Sequence, residues 1–305
     1  MASKDILVCG TINLETTLPI TVFPLDYEPV SYDPLEIRSQ PSGVGFNIAR
    51  ALYTLVNRIR FVSMIGSDFL GTALRHSMPR FGISDEFVLS NLDETPQSVV
   101  IFDAAGRRMV NTDLKDVGKR VYPLELFKQA LQGCRAAVMT NVDFSRPLLA
   151  LAKATSATVA TDLQTICEGS REYDADFFEA ADIVFMSHEK LPVGPEDFVS
   201  TIWERSVAQI AVIGMGAAGA SLCVRDREIR RVSAVQIGPV VNTVGAGDAL
   251  FSCFLHFYLN GDEPILALRK ATVFAAYKIG QSGASRGFLP EDQLQRLIAS
   301  IDIGT

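Results

Sequence analysis

Short apolar runs that stop at a small residue, each followed by a helical stretch, recur along most of this chain. Ile6-Leu7-Val8-Cys9-Gly10 is the first such run and Arg60-Phe61-Val62-Ser63-Met64-Ile65-Gly66 the second, with Gln209-Ile210-Ala211-Val212-Ile213 much later. A strand that is apolar throughout needs cover on both faces, and helices between successive strands supply it. The expectation is a three-layer α/β/α unit around a mostly parallel central sheet. Helices are expected over 48–55, 71–81, 123–132, 145–154, 175–180, 195–205, 249–260, 264–279 and 291–301. Further strands are expected at 136–140, 157–161 and 182–186. A chain of 305 residues suits one large domain with a small appendage.

Two segments break the alternation. Residues 11–40 carry Pro19, Pro24, Pro29 and Pro34 among Thr and Val, which suits edge strands and turns. Ser98–Phe102 and Arg107–Val110 flank Ala105-Gly106 and read as a hairpin. The two segments, 11–40 and 95–113, are expected to pair as one small β-sheet. The core is then 1–10, 41–94 and 114–305.

The composition excludes several functions. A net charge of -7 leaves no basic face for general nucleic-acid binding. No apolar run approaches about 18 residues, so no membrane span is expected. The N-terminus leads straight into a strand, without a signal peptide. Cys9, Cys134, Cys167, Cys223 and Cys253 show no C-x-x-C spacing and read as reduced, buried thiols of a cytoplasmic protein. His76, His188 and His256 share no H-x-x-x-H spacing, and His256 reads as a core histidine. Neither a Walker motif nor a G-x-S-x-G elbow occurs.

Chemistry is concentrated in Asn242-Thr243-Val244-Gly245-Ala246-Gly247-Asp248, followed by an apolar stretch to Leu259. Small residues, then an acid, then a buried helix make a helix N-terminus whose unpaired N–H groups can meet an anion. By itself the stretch is equally a tight turn with Asp248 as a cap. Gly214-Met215-Gly216-Ala217-Ala218-Gly219 fits a dinucleotide fingerprint, but Ser221–Val224 after it reads as a strand, where that motif needs a helix.

These motifs together resemble the ribokinase-like (PfkB) carbohydrate kinases. Asn242–Asp248 is similar to their C-terminal D-T-x-G-A-G-D, and Ser42-Gly43-Val44-Gly45-Phe46-Asn47-Ile48-Ala49 to their N-terminal signature. Gly66-Ser67-Asp68-Phe69-Leu70-Gly71 matches G-x-D-x-x-G, and Gly216–Gly219 stands at the G-x-x-G beside the nucleotide. The resemblance implies an ATP-dependent kinase acting on a hydroxymethyl group of a small sugar. Asp248 would be the general base, and the backbone of Gly245, Ala246 and Gly247 the anion hole. A helix N-terminus would keep Asp248 ionised. Asn13, Glu15, Gly43 and Asn47 would bind the acceptor, and Gly216, Gly219, Thr243 and Thr272 the nucleotide. The small sheet would be a lid, and two lids could pair into a homodimer.

The sequence departs from that pattern in places. Asn242 replaces the acid that helps hold a monovalent cation, usually K+. The magnesium-linked N-x-x-E falls on Ser187-His188-Glu189-Lys190, where Glu189 serves for Mg2+ only after a one-residue shift. Ser42 replaces a glycine, Val44 stands at an often basic position, and Thr272 replaces Asn. A nucleoside kinase and a non-catalytic nucleotide or sugar sensor remain alternatives. A nicotinamide-dependent dehydrogenase rests on Gly214–Gly219 alone.

Overall fold

The computed structural model describes residues 5–32, 36–103, 105–166 and 172–301. In chain order the strands are β1 Asp5–Cys9, β2 Asn13–Ile20, β3 Arg38–Ser42, β4 Arg58–Gly66, β5 Val88–Leu92, β6 Gln97–Asp103, β7 Arg108–Asp113, β8 Ala136–Met139, β9 Thr158–Thr165, β10 Ile183–Ser187, β11 Ile210–Gly214, β12 Ala220–Val224 and β13 Arg230–Val232. The helices are α1 Val44–Thr54, α2 Phe69–Ser77, α3 Leu124–Leu131, α4 Leu149–Lys153, α5 Ala175–Ala180, α6 Pro195–Arg205, α7 Ala246–Leu259, α8 Pro264–Ile279 and α9 Glu291–Ala299.

The large sheet has the order β13-β12-β11-β10-β9-β8-β1-β4-β5. It is parallel from β11 to β5, and β12 and β13 add an antiparallel edge. Successive residues of β1 enter opposite cores. Ile6 and Val8 pack with Phe46, Phe251, Phe254 and Phe274 from α1, α7 and α8. Leu7 and Cys9 pack with Phe127, Phe177 and Phe198 from α3, α5 and α6. This is the expected α/β/α sandwich. No helix among the described residues is long and apolar enough to cross a membrane. Cys9, Cys134, Cys223 and Cys253 are buried free thiols, while Cys167 lies outside the described residues.

The small sheet has the order β3-β2-β6-β7. β2 and β6 run parallel, and the outer pairs are antiparallel. Along β2, Asn13, Glu15 and Thr17 are buried while Leu14, Thr16 and Leu18 are less so. The period of two therefore aims the polar residues inward, the reverse of a strand built on an apolar core. Pro24 and Pro29 fall in an irregular, exposed connection between β2 and β3 rather than in a strand, and Pro34 lies outside the described residues.

One strand is added and two expected helices differ. β5 was not anticipated: Val88-Leu89-Ser90-Asn91-Leu92 is a short edge strand with polar residues. The helix expected over 145–154 begins as a 3-10 turn, Asp143–Leu148, because Pro147 has no N–H to give the α-helical ladder. The helix expected over 71–81 ends at Ser77, and a 3-10 turn with Pro79 carries the chain to Gly82, whose φ is 72°.

The Gly66–Gly71 motif fastens the small sheet to the core. Asp68 caps α2 by accepting from Gly71 N at 2.8 Å, and it also accepts from Thr95 N at 3.1 Å and from the Thr95 hydroxyl. Gly66 N donates to Thr95 Oγ1 at 3.1 Å. A Cβ on Gly71 would lie 2.0 Å from Gly66 O, so only glycine fits. Burial alone would raise the Asp68 carboxyl, but the bonds from Thr95 and Gly71 hold it below the usual range. Thr95 leads directly into β6, so this buckle sets where the small sheet leaves the core.

Candidate active site

The site is built on the start of α7. Asn242 is buried, and its Oδ1 accepts from Val244 N at 2.8 Å, which closes a side-chain turn. Gly245 then takes φ 80° as the helix N-cap. A Cβ there would sit 2.7 Å from Ala284 O, so the turn is pressed against the 281–285 loop and needs glycine. Nothing lies within 4 Å of a Cβ built on Gly247, and that residue is exposed. Ala246 N donates to Thr243 O at 3.2 Å. That bond takes up one of the three N–H groups expected for the anion hole and leaves those of Gly245 and Gly247.

Asp248 is the third residue of α7 and is buried. Asn47 Nδ2, on α1, donates to its Oδ2 at 2.8 Å. A polar fan continues from there into the small sheet. Ser42 Oγ lies 3.2 Å from Asn47 Oδ1 and 2.9 Å from Glu15 Oε2, and its single proton favours the shorter contact. Gln40 Nε2 donates to Glu15 Oε1 at 3.3 Å, and Asn13 Nδ2 donates to Ser98 Oγ at 3.2 Å. Asn13 Oδ1 is buried without a hydrogen-bond partner, a group of the kind that a bound hydroxyl satisfies. Gly43 caps α1 with φ 104°, and a Cβ would stand 2.7 Å from Thr11 O. Asn13, Glu15, Gly43, Asn47 and Asp248 thus come together.

Burial works against the ionised Asp248 that a helix N-terminus is expected to favour. Burial pushes its carboxyl up to about 7, and the nearby charges of Asp162 and Glu15 add to this. The Asn47 hydrogen bond and the charge of Lys278 oppose the rise without cancelling it. Asp162, the fifth of the eight residues of β9, is itself raised to about 6 by burial. Lys278, on α8, has no exposed surface and is lowered to about 8 by burial, against the pull of Asp248 and Glu15.

The residues expected to hold nucleotide and metal are less uniform. Gly216 has φ 57° and opens a 3-10 turn that runs into β12, so the strand after the glycines leaves no place for a dinucleotide-type helix. A Cβ on Gly219 would meet Val232 O at 2.0 Å, which gives that glycine a structural reason. Thr272 is buried, and its hydroxyl bonds to Arg269 O at 2.7 Å within its own helix. Thr243 Oγ1 accepts from Arg108 Nη1 at 2.6 Å, a direct contact from β7 to the turn before α7. Glu189 is exposed on the turn after β10. Among the described residues no cluster of three or more His, Cys, Asp or Glu side chains could hold a metal. Magnesium bound to nucleotide phosphates needs only one or two carboxylates. Asp162 is buried and its charge acts on Asp248, whereas Glu189 is exposed.

The oxygen expected to face a monovalent cation, Asn242 Oδ1, is already engaged, and so are two backbone carbonyls of the same region. Asn242 Oδ1 holds Val244 N, and Val244 O and Gly283 O both accept from Lys278 Nζ, at 3.3 and 2.6 Å.

Sequence reasoning missed Gln40, Arg108, Asp162 and Lys278. Asp162 carried a readable signal, an acid directly after the strand expected over 157–161, in a sheet of the kind that binds ligands beyond its strand ends. Lys278 stands in an apolar helical stretch and gives no such sign.

The profile of pfkB family carbohydrate kinases matches residues 4–292. An acarbose 7(IV)-phosphotransferase from Actinoplanes sp. is 29% identical over 279 residues, covering 90% of this chain and 91% of that protein. A deoxyribokinase from Salmonella typhi is 21% identical, covering 97% and 99%. Among solved structures, a microbiome-derived acarbose kinase superposes with a TM-score of 0.88 at 24% identity, covering 98% of this chain and 100% of that one. This chain belongs to the pfkB family of carbohydrate kinases and is a phosphotransferase with a hydroxyl acceptor.

Proposed function

We propose that Asp248 is the general base for transfer of the γ-phosphoryl group of ATP to a hydroxymethyl group of a small sugar. The observation that carries this reading is the 2.8 Å bond from Asn47 to Asp248. It joins a buried carboxylate at a helix N-terminus to Asn47 of α1, which stands 3.2 Å from Ser42 on the inner edge of the small sheet. Asn13, Glu15 and Asn47, with Gln40 and Ser42, would hold the acceptor hydroxyls. The acceptor oxygen loses its proton to Asp248 and forms the new bond to phosphorus. The bond from phosphorus to the departing ADP breaks, and the N–H groups of Gly245 and Gly247 stabilise the charge on the transferred group. Magnesium on the phosphates, with Asp162 as its carboxylate, would offset part of that charge. The small sheet would close as a lid, with Arg108 on Thr243 as the latch, which excludes water from the transfer. Val99 and Met109 are 43% and 44% exposed on the small sheet; they give a lid-to-lid homodimer apolar surface to bury. A cytoplasmic site agrees with the buried free thiols.

One observation supports a larger acceptor. A cleft of about 530 Å³ opens beside Gln40, lined also by Thr17, Arg38, Phe102 and Arg286. That is room for a second ring, as in a nucleoside or a short oligosaccharide. ADP release should be measured with ribose and other monosaccharides, with nucleosides, and with oligosaccharides including acarbose. The expected result is ADP release that depends on one carbohydrate class. Nucleotide binding without ADP release in any arm would favour the sensor and sink the kinase reading of Asp248.

The pH profile follows from the two shifted groups. Asp248 must be ionised to accept a proton, and its carboxyl is raised to about 7, so the active fraction grows as pH rises through 7. Lys278 is lowered to about 8, so its charge is lost as pH rises beyond that value. kcat/KM for the acceptor should peak between the two and fall by about tenfold per pH unit on the acid side. Full activity well below the acid limb would exclude Asp248 as the titrating base.

A further inference from the structure

Lys278 has no exposed surface. Fully buried lysines are rare, because an ammonium stripped of water needs other groups to replace that water. Nζ donates to Gly283 O at 2.6 Å and to Val244 O at 3.3 Å, with the Phe288 ring centroid 5.9 Å away. Backbone carbonyl oxygens gathered on a positive charge are what replaces the water shell of an alkali ion. Lys278 also stands in the last turn of α8, the end of a helix that favours positive charge.

Both carbonyls belong to segments on which the site depends. Val244 precedes Gly245, the cap of α7. Gly283 precedes Ala284, against whose carbonyl Gly245 is pressed. Val241 N and Asn242 N donate to Ile279 O at 2.8 and 3.0 Å, so the turn, the end of α8 and the following loop form one unit. Lys278 is at its centre. The charged groups that face it are Asp248 on α7 and Glu15 on β2.

We propose that Lys278 is the built-in monovalent cation of this kinase: its ammonium clamps the 242–247 turn to the 281–285 loop, so turnover needs no potassium. Asn242 agrees with this. Its oxygen shapes the turn by accepting from Val244 N, and with the positive charge supplied by a side chain, no acid is needed there to attract an ion. Lys278 is a positioning residue: it holds the backbone that would meet the phosphoryl group.

The proposal rests on the kinase reading, and its test separates the two. Wild-type protein is assayed, and its Tm measured, in KCl, NaCl and choline chloride at equal ionic strength. Both readouts should be the same in all three salts. Lys278→Ala leaves space for an ion, and Lys278→Met fills it without charge. Lys278→Ala should lose about a hundredfold in turnover in choline. K+ or NH4+ should restore about tenfold of that and raise its Tm, with no rescue of Lys278→Met. Potassium activation of the wild type would overturn the proposal. So would a Lys278→Ala variant that is fully active in choline, or one that folds and gains neither activity nor Tm from any monovalent cation. The wild-type salt comparison needs no variant to fold, and the Tm arm needs no turnover.

Discussion

Asp248→Asn is expected to lower turnover by about three orders of magnitude while leaving ADP affinity unchanged. The substitution keeps the side-chain shape and removes the capacity to accept a proton. Its amide can still present an oxygen to Asn47 Nδ2, now 2.8 Å from the carboxylate, so the fan running to Glu15 keeps its anchor. Stability should move in the opposite direction from activity. The Asp248 carboxyl is raised to about 7 by burial, whereas in the unfolded chain it titrates near about 4. The folded state therefore binds the proton more tightly, and the wild type loses stability as pH rises from the unfolded value to about 7. The asparagine variant bears no such loss. Its Tm should match the wild type in acid and exceed it at pH above 7. Turnover by ADP release and Tm at two pH values test both halves. Near-wild-type turnover would remove Asp248 from the role of base, and a variant less stable above pH 7 would show that its burial is misjudged.

The same residue shows what the sequence makes legible. An acid in the first turn of an apolar helix after two glycines was readable, and so were Asn13, Glu15 and Asn47. Asp248 and Asn47 stand in signature motifs, and Asn13 and Glu15 are reached only through the family resemblance, by their place just past the first strand. The ionisation of Asp248 was not readable, because it is set first by burial and then by the charges of Asp162 and Lys278, and both depend on the packing of elements distant in the chain. The architecture was plain because β1, β4 and β11 are apolar on both faces, a pattern that tolerates few alternatives. β5 was hidden for the converse reason: an edge strand is covered on one side only, and Ser90 and Asn91 blur its period. The motif glycines were legible as a group but not individually. Gly71 and Gly219 are required by contacts inside the protein, at 2.0 Å from Gly66 O and from Val232 O, whereas Gly247 has no such constraint.

That contrast supplies a prediction with two arms in one turn. Gly245→Ala must hold φ near 80° and place a methyl 2.7 Å from Ala284 O. The left-handed conformation alone costs about 1–2 kcal/mol, and the contact forces the turn away from the 281–285 loop. Tm should fall by several degrees, and turnover by about a hundredfold as the N–H groups lose their aim. Gly247→Ala meets nothing within 4 Å. Inside a helix, alanine is the better residue by up to about 1 kcal/mol, so Tm should hold or rise. The fold gives no reason for glycine at 247, so any loss of activity there must come from a ligand that needs the space. Turnover of Gly247→Ala should fall by at least about tenfold with its Tm intact, and KM for ATP should rise more than KM for the acceptor. If Gly247→Ala is as active as the wild type, the transferred phosphoryl group does not sit against this end of α7, and the anion hole must be sought elsewhere in the turn. If instead its Tm drops with its activity, the open space beside Gly247 belongs to the fold rather than to the ligand.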